Sequence, residues 1–226
     1  MCSRYSLIAR PEAVYRLFGI TDGHDFPPRY NIAPSQPVLI VRHDALHIRE
    51  CALVQWGLVP AWVKDPREYK PLLNARSETI TEKPSFRGPV RHRRCLVPAS
   101  GYYEWVGGRR SKQPHFIRMT QHALFAIAGI WEVWLGADGS EIETMAILTT
   151  AANSDVSPIH DRMPVIIRPP DYDRWLDCRS GSTVEISELL RCAPDGCMSV
   201  AAVNPRLNDP RAEGPDLHEP ANPTLF

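Results

Sequence analysis

The chain has 226 residues, of which 43% are apolar, with six tryptophans and 22 prolines. That is enough for one full core, and so many helix- and strand-breaking prolines argue against a helical bundle or a doubly wound sheet. Net charge is zero, but residues 1–130 carry 19 Lys/Arg against 10 Asp/Glu and residues 131–226 carry 7 against 16, so a neutral chain can still own one positive face.

No apolar run approaches the roughly 18 residues of a membrane helix, and Met1-Cys2-Ser3-Arg4-Tyr5 lacks the pattern of a secretory leader. The cysteines Cys2, Cys51, Cys95, Cys178, Cys192 and Cys197 form no Cys-x-x-Cys pair. Zinc and redox motifs are therefore weak readings, and the cytosol is the expected compartment.

In chain order, Pro11 to Phe18 reads as a short helix with Val14, Leu17 and Phe18 on one face. A Gly-, Asp- and Pro-rich loop follows to Pro28. Val38 to Arg42 and His47 to Gln55 read as strands, and Trp56 to Trp62 as an aromatic loop. Ala75 to Lys83 reads as a helix stopped by Pro84. Strands are expected at Arg94–Pro98 and Tyr102–Val106, with a turn at Gly107-Gly108. More follow at Pro114–Met119, Phe125–Leu135, Thr144–Thr150, Met163–Ile167 and Met198–Val203. Short helices are expected at Tyr172–Asp177 and Val184–Arg191. Many short strands without a βα period predict one α+β domain over residues 1–204, built on a curled, barrel-like, mainly antiparallel sheet with short peripheral helices. Residues 205–226 read as a flexible tail, the alternative being a tail laid across the domain.

Chemistry concentrates on a few side chains. Removal of Met1 would leave Cys2 with an α-amine and a thiol on adjacent carbons, both partly nucleophilic near neutrality. Such a pair converts an aldehyde first to an imine and then to a five-membered thiazolidine. The alternative is a buried cysteine acting as a small hydrophobe. His160 suits proton transfer or a structural role. Glu104, between aromatics in Gly101-Tyr102-Tyr103-Glu104-Trp105, suits acid/base work if buried and plain solvation if not. Asn74 suits a helix N-cap or a contact to an attacking amine. Arg4, Arg76 and Arg162 each lie within two residues of one of these and can fork to phosphate. Trp56, Trp62 and Trp105 can stack on bases or pack in a core. His92 belongs to a basic run, and Arg109-Arg110-Ser111-Lys112 to an exposed turn. Phosphate-loop, HExxH, GxGxxG and GxSxG motifs are absent, and His115 and His122 have no metal framework around them. No metal and no cofactor is expected.

The ordered segments resemble the SRAP family, the SOS-response-associated peptidase domain that shields abasic sites in single-stranded DNA. They are Met1-Cys2-Ser3-Arg4-Tyr5, PRYNIAPSQPVLIV (28–41), WGLVPAW (56–62), NARSET (74–79), RRCLVPASGYYEW (93–105), FAIAGIWEVW (125–134), ILTTAAN (147–153) and IHDRMPVII (159–167). The resemblance implies that Cys2 captures the ring-opened sugar as a thiazolidine. It implies that Asn74 contacts the amine and sugar, that Glu104 and His160 are catalytic, and that Arg4, Arg76 and Arg162 hold the DNA backbone. The aromatic loop at Trp56–Trp62 would flank the DNA channel. Ser3 departs from the usual glycine, which bears on how Cys2 is presented. The expected partner is single-stranded DNA containing an abasic site, met by a monomer away from any membrane, with the aminothiol exposed beside a groove. Abasic-lyase and autoproteolytic activities would use the same residues. An N-terminal-cysteine peptidase or amidohydrolase and a noncatalytic single-strand adaptor are the alternatives.

Overall fold

A computed structural model describes residues 2–23, 25–108, 112–180 and 182–221. Its strands, in chain order, are β1 (Tyr5–Leu7), β2 (Arg29–Ile32), β3 (Pro37–His43), β4 (Arg49–Trp56), β5 (Asn74–Arg76), β6 (Arg94–Ala99), β7 (Gly101–Val106), β8 (Gln113–Met119), β9 (Phe125–Leu135), β10 (Glu141–Ala151), β11 (Arg162–Pro164), β12 (Ile166–Ile167) and β13 (Met198–Ala202). The helices are α1 (Pro11–Phe18), α2 (Pro84–Arg87), α3 (Pro89–His92) and α4 (Tyr172–Leu176). None of the helices among the described residues is long and apolar enough to cross a membrane.

Strands β10, β4, β3, β6 and β9 form a ring, closed where β9 pairs back onto β10. Closure removes the exposed edges that an open sheet of this size would carry. All the ring pairings are antiparallel except β4 with β10. Strand β6 is buried at every position, so it is covered on both faces. One cover is α4, whose Trp175 indole donates to Cys95 O at 2.8 Å. A second, antiparallel sheet runs β13-β8-β7-β1-β2. Glycine at position 101 lets β7 lie close to β8, since a Cβ there would meet the Phe116 ring at 2.2 Å and Ile117 O at 2.9 Å. Gly19 ends α1 in the left-handed conformation, φ +67°, which only glycine adopts without strain.

The α+β expectation with a curled, barrel-like sheet holds. Several local readings do not. Ala75–Lys83 is not a helix: Asn74–Arg76 is drawn into parallel pairing with β10, and only a 3₁₀ turn, Ser77–Thr79, follows. Tertiary pairing overrides helical propensity there. Val184–Arg191 holds only the 3₁₀ turn Ser187–Leu189. Strands β1 and β2 and helices α2 and α3 were not anticipated.

The expected tail is also corrected for residues 205–221. Leu207 and Leu217 are fully buried with Tyr103 and Phe116, and Val203 bridges to Pro220. Spaced apolar residues in a polar segment were enough to seat it on the second sheet. Residues 222–226 of that tail, and Arg109–Ser111 of the basic turn, lie outside the described residues. The two charge halves interleave: β13 pairs with β8 and β10 with β4, and Arg42–Glu143, Arg49–Asp173 and Glu78–Arg162 pair across the division.

Candidate functional site

Strand β10 outruns the barrel, and its last residues collect partners on both edges. Ile147, Leu148 and Thr149 align with Asn74, Ala75 and Arg76 of β5, while Thr150 and Ala151 align with Met163 and Arg162 of β11. The turn preceding β11 carries His160, whose N–H donates to Val156 O. The second sheet delivers the other two residues. Tyr5 of β1 aligns with Tyr102 of β7, and Tyr103 N donates to Arg4 O at 3.0 Å, extending the alignment toward Cys2 and Glu104.

Asn74, Cys2, Glu104 and His160, scattered along the sequence, therefore converge. Asn74 Nδ2 donates to Cys2 O at 2.9 Å, and Asn74 Oδ1 is buried with no hydrogen-bond partner among the described residues. Burial, reinforced by the charge of Glu104, pushes the Cys2 thiol far up from its ordinary value, so it rests protonated. Glu104 is 4% exposed, and burial raises its carboxyl pKa while His160 pulls it down. His160 Nδ1 lies 2.9 Å from both the Arg162 backbone N–H and Asp161 Oδ1. The Arg162 amide donates to Nδ1, and the Asp161 carboxylate lies beside the same atom, so the two contacts together hold the ring in place. The arrangement unites a thiol, a carboxyl held toward its neutral form, an imidazole and an amide acceptor. It is equipped for nucleophilic attack with proton transfer.

The expectation of an exposed thiol is corrected: Cys2 is 1% exposed and belongs to the main core cluster. The pairing that carries β1 into the second sheet also buries the residue before it. Trp56 is corrected as well. It is fully buried, donates to Leu73 O at 3.0 Å and meets Tyr5 edge to face at 5.5 Å, so it is a core residue with no face for a base. Trp62 is 60% exposed. It overhangs a cleft of about 400 Å³ that also takes in Arg87, Arg91 and His92. Trp105 is half-buried and donates to Asn208 Oδ1 at 2.7 Å.

The arginines divide. Arg76 is exposed. Arg162 forks onto Glu78 at 2.6 and 2.8 Å and donates to Thr149 O at 2.7 Å. Arg4 donates to Asn31 Oδ1 at 2.8 Å and Leu207 O at 3.2 Å. Glu78 and Asn31 escaped the reading of the sequence, although both lie inside the quoted segments NARSET and PRYNIAPSQPVLIV. Among the described residues no group of three or more His, Cys, Asp or Glu is placed to hold a metal ion. A larger cleft, about 680 Å³, opens between His43, His47, Asp173 and Arg179 and touches none of the converging residues.

Residues 1–210 match the family described as SOS response associated peptidase (SRAP). The chain is 34% identical over 223 residues to the abasic site processing protein YoqW of Bacillus subtilis, covering 97% of this chain and 99% of that one. It is 33% identical to the abasic site processing protein HMCES of Gallus gallus, over 86% of this chain and 67% of the relative. A solved structure from Bacteroides thetaiotaomicron superposes with a TM-score of 0.85 at 29% identity, over 98% of this chain and 100% of that one. With its family matched almost end to end and its fold shared with that solved structure, the chain belongs to the SRAP family.

Proposed function

We propose that this protein processes abasic sites in single-stranded DNA by capturing the lesion covalently on Cys2 after Met1 is removed. Relatives of similar length carry the name abasic site processing protein. The observation that carries the reading is the contact of Asn74 with Cys2, made beside Glu104 and His160.

While residue 1 is attached, the Cys2 nitrogen is an amide and no nucleophile. Processing creates the amine and, in this reading, opens the buried residue to the sugar. The amine attacks first. Its lone pair bonds to C1′ of the open-chain sugar, Glu104 gives a proton to the departing hydroxyl, and water leaves an imine. Asn74 Oδ1 accepts from the attacking amine. The thiol then gives its proton to the basic groups beside it, and its sulfur adds to the imine carbon, closing the thiazolidine and protonating the nitrogen. His160 carries protons to and from solvent. An imine left open permits β-elimination, which is the lyase route.

Trp62 offers an exposed face for an unpaired base beside Arg87 and Arg91, and arginine contacts to phosphate are sequence-independent and salt-sensitive. An unpaired strand also spares the enzyme the opening of a duplex.

Intact mass before and after exposure to an abasic single-stranded oligonucleotide tests the whole scheme. The expected result is loss of one methionine residue and then a product equal to protein plus oligonucleotide minus one water. Full noncovalent binding with no such product would favour the adaptor. A Cys2-dependent cleavage of peptides, with no product on DNA, would favour the peptidase.

A further inference from the structure

Arg4 was expected on the DNA, yet its guanidinium is turned into the protein. Its partner Asn31, on β2, is fully buried. Asn31 Oδ1 accepts from Arg4 at 2.8 Å, and Asn31 Nδ2 donates to Asp209 O at 2.9 Å and Ala212 O at 3.0 Å. A guanidinium only donates and carbonyls only accept, so this amide can sit in one orientation alone. The backbone amides of Tyr30 and Asn31 donate to the Glu213 carboxylate at 2.8 and 3.4 Å. Arg4 also reaches Leu207 O, and its own carbonyl receives Tyr103 N. The residue two positions after Cys2 is thus held by β7 through its backbone and by β2 and the segment 204–221 through its side chain.

We infer that Asn31 is a positioning residue of the Cys2 site, fixing Arg4 to the strap of residues 204–221 and so setting where Cys2 lies. Asn74 holds Cys2 at its carbonyl on one side, and Arg4 pins the chain on the other. Without the second point, Arg4 keeps only its backbone bond from Tyr103, and the two residues ahead of it gain the freedom to turn, taking the thiol from its place. The consequence for DNA rests on the function proposed above, whereas the mechanical part does not.

The test labels the native full-length protein with N-ethylmaleimide and follows Cys2 and Cys95 separately by peptide mass. Cys95, wholly buried in the barrel, reports general loosening. Asn31→Leu keeps the branched shape and removes all three side-chain hydrogen bonds, and is expected to speed Cys2 labelling about 10-fold or more with Cys95 unchanged, as local opening requires. Asn31→Asp keeps the acceptor for Arg4 but loses both strap bonds and sets an oxygen against Asp209 O and Ala212 O, so Cys2 labelling should rise there as well, by about 3-fold or more. Arg4→Met attacks the same contact from the other side, leaves the strap bonds of Asn31 in place, and decides the matter should Asn31→Leu not fold. Unchanged Cys2 labelling in these variants, a joint rise of Cys2 and Cys95, or an aspartate variant as tight as the parent would overturn the inference.

On an abasic oligonucleotide, the capture rate at saturating DNA should fall about 10-fold in Asn31→Leu and fall also in Asn31→Asp, with the half-saturating concentration moving by less than about 2-fold in each. Should the parent form no adduct, the proposed function fails, and the labelling pattern alone still decides the role of Asn31.

Discussion

Asn74 donates its side-chain amide to the carbonyl of Cys2 across 2.9 Å, joining residues 72 apart in the chain. One atom of that amide is engaged and the other, buried, is open to an incoming donor. Asn74→Ala is expected to cost about 1 kcal/mol of stability, the worth of one ordinary hydrogen bond. It should slow capture by about 10-fold through misplacement of Cys2. Thermal melts and single-turnover gels separate the two effects. A large stability loss with an unchanged capture rate would make Asn74 purely structural.

Cys2→Ala keeps an amine at the processed terminus and lacks the sulfur. The imine should still form and be trappable by borohydride, while the heat-stable adduct disappears. A heat-stable product of undiminished yield from the alanine variant rules out the thiazolidine.

Glu104 ties stability to pH. Burial raises its carboxyl pKa, so between its unfolded and folded values the native state binds the extra proton. Its contribution is therefore complete below the unfolded value, about 4.3, and is lost as pH rises through the folded one. Glu104→Gln removes that loss. The melting temperature of the variant relative to the parent should climb from about pH 4 to neutrality, and capture should fall because the glutamine amide gives up no proton to the leaving water. A difference in melting temperature that is flat with pH contradicts the assignment.

The two tryptophans that bracket WGLVPAW should part company. Trp56→Ala empties a core site and is expected to destabilise by about 3–5 kcal/mol. Trp62→Ala should leave the melt nearly unmoved and weaken noncovalent binding of normal single strands by about 1–3 kcal/mol. Equal effects of both changes on the melt would refute the division.

Glu78 neutralises Arg162 through a two-point fork. In Glu78→Gln the guanidinium is released toward phosphate. Binding to single strands should tighten, and the slope of log K against log salt should steepen by about 0.7, one phosphate's worth. An unchanged slope means that Arg162 serves the fold alone.

Elements with a self-contained pattern were legible in the sequence. The helix Pro11–Phe18 has its proline at the start and its glycine at the end, and β9 and β10 are long enough to declare themselves. The segment Ala75–Lys83 was misread because β10 supplies an edge that no local pattern reveals. The four converging residues were visible as residue types, and the resemblance of the ordered segments supplied their grouping. Burial of Cys2 and Trp56 was hidden, since a residue beside a strand and an aromatic at a loop's edge look alike whether they face water or core. The seating of residues 205–221 was missed for a related reason. Leu207 and Leu217 are isolated among charges, and only the waiting surface of Tyr103 and Phe116 gives them somewhere to go.

Strand β10 touches β4, β5, β9 and β11, and nothing before residue 141 can stand in for it. During synthesis, β3, β4, β6 and β9 leave the ribosome as an open ribbon whose β4 margin has no mate. Pairings this distant in sequence fold slowly and leave sticky intermediates. The barrel therefore closes only after β10 is made, and a lesion in β10 is expected to be felt as lost protein before it is felt as lost chemistry.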